Sequence, residues 1–349
     1  MHNRVAHAWR QRGALSWAML PLSWVYAALV ALRRTLYQAG VLSCERVDAA
    51  VLVVGNVIAG GAGKTPTTAA IVSHLQRQNL RMGIVSRGYG RRTSGCLEVL
   101  PNSPVQDVGD EALLLRRATG APVFVATKRV DAARALLERY PQTDVIVCDD
   151  GLQHYNLFRD LEVCVFDDRG VGNGWMLPAG PLREPWPRVA VPRAGQDNQR
   201  LLVLHSASPP AFAGHTARRN LASVAVRQDG TTVPLECLQT PGVLPLAAVA
   251  GVARPEAFFA MLRAASIPVQ HTVALPDHYA FDHLPAEIGQ GYRLICTEKD
   301  AAKLWPLAPD ALAVGLVLEI DGAFFAELDA RLTEVLAAKL SSKHGHKTT

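Results

Sequence analysis

From residue 48 onward the chain alternates short apolar runs with stretches of helical period. Val51–Val54, Met82–Ser86, Val123–Ala126, Val145–Cys148, Val163–Phe166 and Leu201–Leu204 read as strands. They are continuous rather than alternating, the pattern of strands covered on both faces. Thr67–Gln76 and Glu111–Ala118 carry helical spacing between them. The pattern predicts a doubly wound parallel α/β sheet.

The rhythm breaks once. Residues 184–200 are polar and rich in Pro and Arg, and 206–220 include Pro209, Pro210 and several small residues. A hairpin is predicted next, Ser223–Val226 and Thr231–Leu235, with Asp229-Gly230 favouring a type I′ turn. It reads as a two-stranded linker into a second, smaller α/β domain. There Leu246–Val252, Val269–Leu275, Leu294–Cys296 and Val314–Leu318 are predicted strands, and Pro255 opens a helix through Ala265. A last helix shows an apolar stripe at Phe325, Leu328, Leu332, Val335, Leu336 and Leu340. The predicted boundaries are 1–36 for an N-terminal hydrophobic helix, 37–220 for the first domain, 221–240 for the linker and 241–340 for the smaller domain. Residues 341–349 form a polar, frayed tail whose His344 and His346 are solvated.

The N-terminal segment is of another kind. Residues 14–32 hold no charge, with Arg4, Arg10 and Arg12 before them and Arg33 and Arg34 after. The length approaches the ~20 residues that span a bilayer. Pro21 in mid-run and basic clusters on both flanks disfavour a clean span. Trp17, Trp24 and Tyr26 suit the headgroup level, and the arginines suit anionic lipid. Three readings stand: a span, an interfacial helix, or a helix docked on the body of the protein.

Composition narrows the class. The 349 residues are 49% hydrophobic and 19% charged, which excludes a disordered chain or a small disulfide scaffold. A net charge of +5 is weak for a nucleic-acid binder and compatible with anionic small molecules or lipid headgroups. The six cysteines form no CxxC pair, and Cys148 and Cys164 fall inside apolar strands, so free thiols in a reducing, cytosol-facing protein are expected.

The chemistry concentrates at Gly55–Pro66, where a buried strand runs through a glycine-rich loop, Ile58-Ala59-Gly60-Gly61-Ala62-Gly63-Lys64-Thr65, into a helix. Glycines let successive backbone N–H groups turn inward around phosphate oxygens, and the helix N-terminus adds its positive end. Lys64 is placed to bridge the β- and γ-phosphates and Thr65 to offer its hydroxyl to Mg²⁺. The strict P-loop pattern asks for glycine where Ile58 stands. Downstream, the apolar strand Val145–Cys148 ends in Asp149 and Asp150, carboxylates for the metal side of a nucleotide site. Thr127-Lys-Arg-Val-Asp131 and Thr297-Glu-Lys-Asp300 miss the guanine-reading spacing, which favours ATP over GTP.

Further polar clusters sit at predicted loops: Arg87-Gly-Tyr89-Gly90, Gly109-Asp110-Glu111, Gly151-Leu-Gln153-His154 and Asp277-His278-Tyr279. Together they supply the acid, imidazoles and arginine needed to deprotonate a hydroxyl and neutralise a phosphoryl group, although Asp110 alone also suits a helix cap. With GNVIAGGAGKTP, SRGYGRR, VGDEALLL, DDGLQH, NGWMLPAGPLREP, VAGVARPEAF, LPDHYAF and CTEKDAAK in this order, the chain resembles the tetraacyldisaccharide 4'-kinase (lipid A 4'-kinase) family over about residues 14–305. In that family the missing glycine is usual. The resemblance implies a P-loop α/β domain, a smaller α/β domain on a two-stranded linker, and ATP–Mg²⁺ phosphorylation of the 4'-hydroxyl of an acylated disaccharide 1-phosphate lipid. It places the N-terminal helix on the cytoplasmic face of the inner membrane, with no nucleic-acid partner. It also implies Asp110 as catalytic carboxylate with His278 its partner, Lys64 and Thr65 as the P-loop pair, Asp149 and Asp150 on the metal side, and Tyr89, Gln153, His154 and Arg183 as further active-site residues. The rivals are a membrane-attached P-loop ATPase switch and a P-loop kinase of a soluble metabolite.

Overall fold

The computed structural model describes residues 9–61, 63–188, 200–206, 209–240, 244–284, 288 and 291–345. Thirteen strands among them join one continuous sheet. The first half is built from β1 (Ala50–Gly55), β2 (Met82–Ser86), β3 (Leu97–Val99), β4 (Val123–Val125), β5 (Val145–Asp149), β6 (Leu161–Phe166) and β7 (Leu201–His205). Their order is β7-β6-β1-β5-β2-β4-β3, parallel throughout except for the short edge strand β3. Every residue of β1, β2 and β5 is buried, because helices cover both faces, and this is why those runs are unbroken in apolar character.

The long strand β8 (His215–Val226) continues the order beyond β7, pairing parallel to it at Leu204 and His205. Past Ala217 it runs antiparallel to β13 (Leu312–Ile320), and this ribbon links the two halves. The hairpin strand β9 (Thr232–Pro234) pairs only with β8, so the connecting ribbon takes its second strand from far along the chain rather than from the neighbouring hairpin. The hairpin turn also differs from a type I′ turn. Arg227 N–H donates to Thr231 O and Gly230 N–H to Arg227 O, with Gly230 alone at positive φ (83°). That is a three-residue loop with a glycine bulge, fixed by Asp229 Oδ1 accepting from the Thr231 N–H and hydroxyl. The second half adds β10 (Leu246–Ala250), β11 (Val269–Ala274) and β12 (Arg293–Thr297) in the parallel order β11-β10-β12-β13.

Helices α1 (Ala14–Ala18) and α2 (Leu20–Gln38) precede the sheet. Pro21 sits in the first turn of α2, where no intrahelical N–H is lost, so it starts that helix rather than kinking it. On the first half lie α3 (Lys64–Arg77), α4 (Val105–Val108), α5 (Asp110–Thr119) and α6 (Arg129–Arg139); α7 (Pro255–Ala264) and α8 (Glu298–Leu304) belong to the second. The last helix, α9, runs Gly322–Gly345, so the expected frayed tail is helical through Gly345, and His346 lies outside the described residues. Phe324, Leu328 and Leu332 of α9 pack with Ile71, Val72 and Leu75 of α3 in the core of the first half. The chain thus returns from the second half to close the first. All six cysteines are free. Most of the polar stretch 184–200 lies outside the described residues.

Candidate active site

β1 and β5 are neighbours, with Val54 opposite Asp149, so the loop after β1 and the acids ending β5 emerge side by side at the carboxyl edge of the sheet. Gly60 (φ 95°) and Gly63 (φ 89°) adopt the left-handed turns that bend the loop, and a Cβ at Gly63 would stand 2.5 Å from Arg219 Nη2. Asn56 ties the loop shut by donating to Gly60 O at 3.1 Å. Lys64 opens α3, its Nζ 3.5 Å from both Asn56 Oδ1 and Asp150 Oδ1. Thr65, one residue on, lies in the same half-buried first turn.

The loop is narrower as an anion cradle than the sequence suggests. Ile58 is fully buried and bridged to Leu182, and Ala59 N–H donates to Pro181 O at 2.8 Å. Both are therefore engaged with the segment before Arg183. Ala62 lies outside the described residues. Gly60, Gly61, Gly63, Lys64 and Thr65 remain grouped at the helix N-terminus.

The two aspartates after β5 have different surroundings. Asp149 is buried, accepts from the Thr68 hydroxyl at 2.9 Å, and is pushed up to about 7 by burial and by the neighbouring charges of Glu111 and Asp150. Burial pushes Asp150 upward too, but Lys64, Arg183 and Arg129 overcome this and hold it below the usual range. Arg183 Nη1 lies 3.6 Å from it. Arg129, fully buried, donates to the carbonyls of both aspartates at 3.3 and 3.4 Å. Nothing in the sequence distinguishes this arginine from the others on an amphipathic helix. Gln153 donates to Asn56 O and to Glu184 Oε1, so it braces the loop from beneath. His154 is pushed down to about 4 by burial and by Arg129 and Arg87, leaving it neutral at pH 7.

A second group assembles across the two halves. Asp110 is the first residue of α5, with Oδ1 accepting the Glu111 N–H at 2.9 Å. Its Oδ2 meets His278 Nδ1 at 2.9 Å and Lys303 Nζ at 3.2 Å. Burial pushes the Asp110 carboxyl upward, yet the His278 hydrogen bond and the charges of Lys299 and Lys303 outweigh it and hold the group well below the usual carboxylate range. Being ionised, Asp110 only accepts, so His278 Nδ1 carries the donated hydrogen. His278 sits at φ 61°, and its hydrogen bond to Asp110 raises its basicity against the opposing effects of burial and Lys299. The exposed Tyr89 ring stands 5.0 Å from the imidazole.

Lys299 and Lys303 escape sequence reasoning. They fall in the CTEKDAAK stretch, and α8 has too few residues to show a helical period. Their i, i+4 spacing, which puts both ammoniums on one helix face, was the available signal.

Of the cavities around the Asp110–His278 pair, two connect it to the glycine loop and to Tyr89. One, of about 230 Å³, lies between the loop and the second half, lined by Gly63, Lys64, Thr65, Glu111, Asp277 and Lys299 among others. The other, about 140 Å³, is walled by Tyr89, Arg92, Gly109, Asp110, His278 and Lys303. The dyad thus stands between a space that opens on the glycine loop and a space that opens past an exposed aromatic ring.

The N-terminal helix contacts this region from outside. Ser23 donates to Met176 O at 2.7 Å and Tyr26 to Arg183 O at 3.1 Å, so α2 is docked on the body of the protein. Its other face leaves Leu22, Trp24, Val25, Leu29 and Leu32 each 56–65% exposed. No helix of the described residues is long and apolar enough to cross a membrane.

The family model described as tetraacyldisaccharide-1-P 4'-kinase matches residues 15–339. The chain is 55% identical over 345 residues to the tetraacyldisaccharide 4'-kinase of Acidovorax sp. (strain JS42), covering 98% of this chain and 96% of that one. It is 54% identical to the enzyme of the same name from Polaromonas naphthalenivorans (strain CJ2), covering 98% of each. The crystal structure of LpxK from Aquifex aeolicus in complex with ATP superposes with a TM-score of 0.76 at 25% identity, covering 92% of this chain and 99% of that one. The chain belongs to the tetraacyldisaccharide 4'-kinase family.

Proposed function

We propose that the chain transfers the γ-phosphate of ATP to the 4'-hydroxyl of a tetraacylated disaccharide 1-phosphate, with the nucleotide on the glycine-loop side of the Asp110–His278 pair and the lipid sugar on the Tyr89 side. The observation that carries this reading is the pair itself, 2.9 Å across the two halves of the sheet and beside a P-loop-like turn. A nucleotide switch has no use for such a pair, and a kinase of a soluble metabolite has none for the apolar N-terminal face.

In this reading Gly60, Gly61, Gly63 and Lys64 hold the phosphates by backbone N–H groups and one ammonium. Lys64 exchanges its long contact with Asp150 for the phosphate. Asp110 accepts the proton of the 4'-hydroxyl as the oxygen–phosphorus bond forms, and His278 orients the carboxylate through Nδ1. Arg129 fixes the backbone of the two aspartates, and Arg183 keeps Asp150 ionised.

The residues present fit a Mg²⁺ ion. Asp149 is a carboxylate raised by burial and by two acidic neighbours and hydrogen-bonded to the Thr68 hydroxyl, so it gains from a cation, whereas Asp150 already faces Lys64 and Arg183. Among the described residues no three or more His, Cys, Asp or Glu form a metal cluster. Mg²⁺ at nucleotide sites typically takes only about one or two carboxylates beside phosphates and waters. Asp149 and Thr65 are the residues that would hold it, and the ion would supply charge neutralisation on the β- and γ-phosphates.

Incubation of the purified protein with ATP–Mg²⁺ and the disaccharide lipid should place labelled phosphate on the lipid. ATP hydrolysis with no labelled lipid would point to the switch, and equal labelling of a deacylated sugar to the soluble-metabolite kinase.

The exposed face of α2 fits the interfacial layer of the inner membrane's cytoplasmic leaflet, with the docked face holding the segment before Arg183 in place. Removing residues 1–34 would strip that docked face and confuse two effects. Substituting Leu22, Val25 and Leu29 together by serine touches only the outer face. This variant should leave anionic vesicles in flotation and show a raised KM for lipid but not for ATP. Unchanged partitioning would argue that another surface makes the contact.

A further inference from the structure

We propose that Lys299 is a positioning residue of the reaction, whose ammonium holds His278 Nε2 as a hydrogen-bond acceptor and so keeps the imidazole proton on Nδ1, facing Asp110. This inference rests on the reading of Asp110 and His278 as the acceptor-side pair.

Three contacts carry it. Lys299 Nζ lies 3.4 Å from His278 Nε2, 3.3 Å from Asp277 Oδ1 and 3.4 Å from Glu111 Oε1. Glu111 follows Asp110 on α5, while Asp277 precedes His278 in the second half. A single ammonium, whose side chain is 16% exposed, therefore joins both halves at the residues next to the pair. An ammonium only donates. Nε2 must then present its lone pair to Lys299, which leaves Nδ1 as the protonated nitrogen, the form that the ionised Asp110 also requires. Two independent neighbours thus select the same tautomer.

The consequence for catalysis follows from charge. A second proton on His278 would go to Nε2 and point at the ammonium. It would also turn the imidazole into a cation against Asp110, making the carboxylate a weaker base. The groups facing His278 are Asp110 from α5, Lys299 from α8, Asp277 from its own loop with Oδ1 3.9 Å from Nε2, and the Tyr89 ring. Lys303 reaches it only through Asp110. Of these, Asp110 and Asp277 favour the imidazolium, and Lys299 opposes it. Lys299 therefore opposes the second proton that Asp110 and Asp277 favour and keeps the ring turned with Nδ1 towards Asp110.

The test is Lys299→Met beside Lys299→Arg in the full chain. Lys299→Met should lower kcat by ~10–10²-fold through misplacement of the pair. It should also move the acid limb of the kcat–pH profile to higher pH, because His278 is released to bind its second proton. Lys299→Arg keeps a cationic donor and should return the limb towards its original place. Proton NMR titration of His278 without substrates gives an activity-free reading, and its midpoint should rise in Lys299→Met. An unchanged midpoint and an unmoved limb in Lys299→Met, with kcat lowered or not, overturns the proposal, since bridging the two halves alone would move neither. If instead His278→Asn turns over normally at every pH, the reading of the pair fails rather than the role of Lys299.

Discussion

Lys64→Ala is expected to lower kcat by ~10²–10³-fold, the usual loss when one preorganised donor is removed from developing charge. Lys64 opens the helix behind the glycine loop, its side chain only 11% exposed, and among the described residues its ammonium is engaged through two 3.5 Å contacts. Loose partners of this kind cost little to surrender to a phosphate oxygen. They also mean that the substitution does not strand a buried charge, since Asp150 retains Arg183 at 3.6 Å and Arg129 behind its carbonyl. The variant should therefore unfold at close to the original temperature, and the loss belongs to the chemistry. Single-turnover transfer from labelled ATP measures it directly. Lys64→Arg should rescue poorly, because a planar guanidinium does not replace a point charge in a loop cut to fit it. Near-normal transfer by Lys64→Ala would remove the P-loop role from this turn.

The sequence showed the central strands because burial on both faces leaves no polar position to blur them, as in β1, β2 and β5. It concealed β3, whose three residues form an antiparallel edge too short to carry a period. The ribbon of β8 with β13 was hidden for another reason: its strands lie almost a hundred residues apart, and hairpin chemistry at Asp229-Gly230 offered a nearer partner. At the N-terminus composition marked an apolar helix but not that one side of it is used. Only the contacts of Ser23 and Tyr26 with the 176–183 segment reveal a docked face and an open face.

The site divides in the same way. Glycines, Lys64 and the acids after β5 announce themselves because few other functions need those residues in that order. Ile58 and Ala59 belong to the same motif, yet the fold spends them on holding a neighbouring segment, which no local pattern could disclose. Arg129, Lys299 and Lys303 were missed because their importance lies in what they approach. An arginine on an amphipathic helix is ordinarily solvated, and here it is buried behind two carbonyls. The two lysines acquire meaning only once α8 packs beside α5 and brings them to Asp110 and His278.

Asp110→Asn and His278→Asn are each expected to lower kcat by ~10²–10⁴-fold, the range for lost general base catalysis. Asparagine is preferred to alanine because Lys303, 7% exposed in its side chain, needs a polar partner at position 110. A sugar hydroxyl holds its proton tightly, and the proton leaves as the bond to phosphorus forms. Asp110 is held well below the usual carboxylate range, so it is a weak base. It suffices if the transition state is loose and the proton moves late, as in protein kinases, where an aspartate faces the acceptor hydroxyl. Aim then matters more than strength, and the hydrogen bond from His278 Nδ1 supplies it. The two residues act as one unit, so the double variant should be scarcely slower than the poorer single variant. ATP affinity should change little in any of the three, since neither side chain contacts the glycine loop. The pH profile separates their parts. Asp110 stays ionised across the working range and contributes no limb there. His278, its basicity raised by Asp110, gains a second proton as pH falls through its elevated value, and kcat should fall with it. In His278→Asn that limb should vanish while a low, flat rate remains. Fully additive losses would show two independent contributions, and an Asp110→Asn enzyme with normal kcat would reduce Asp110 to the first residue of its helix.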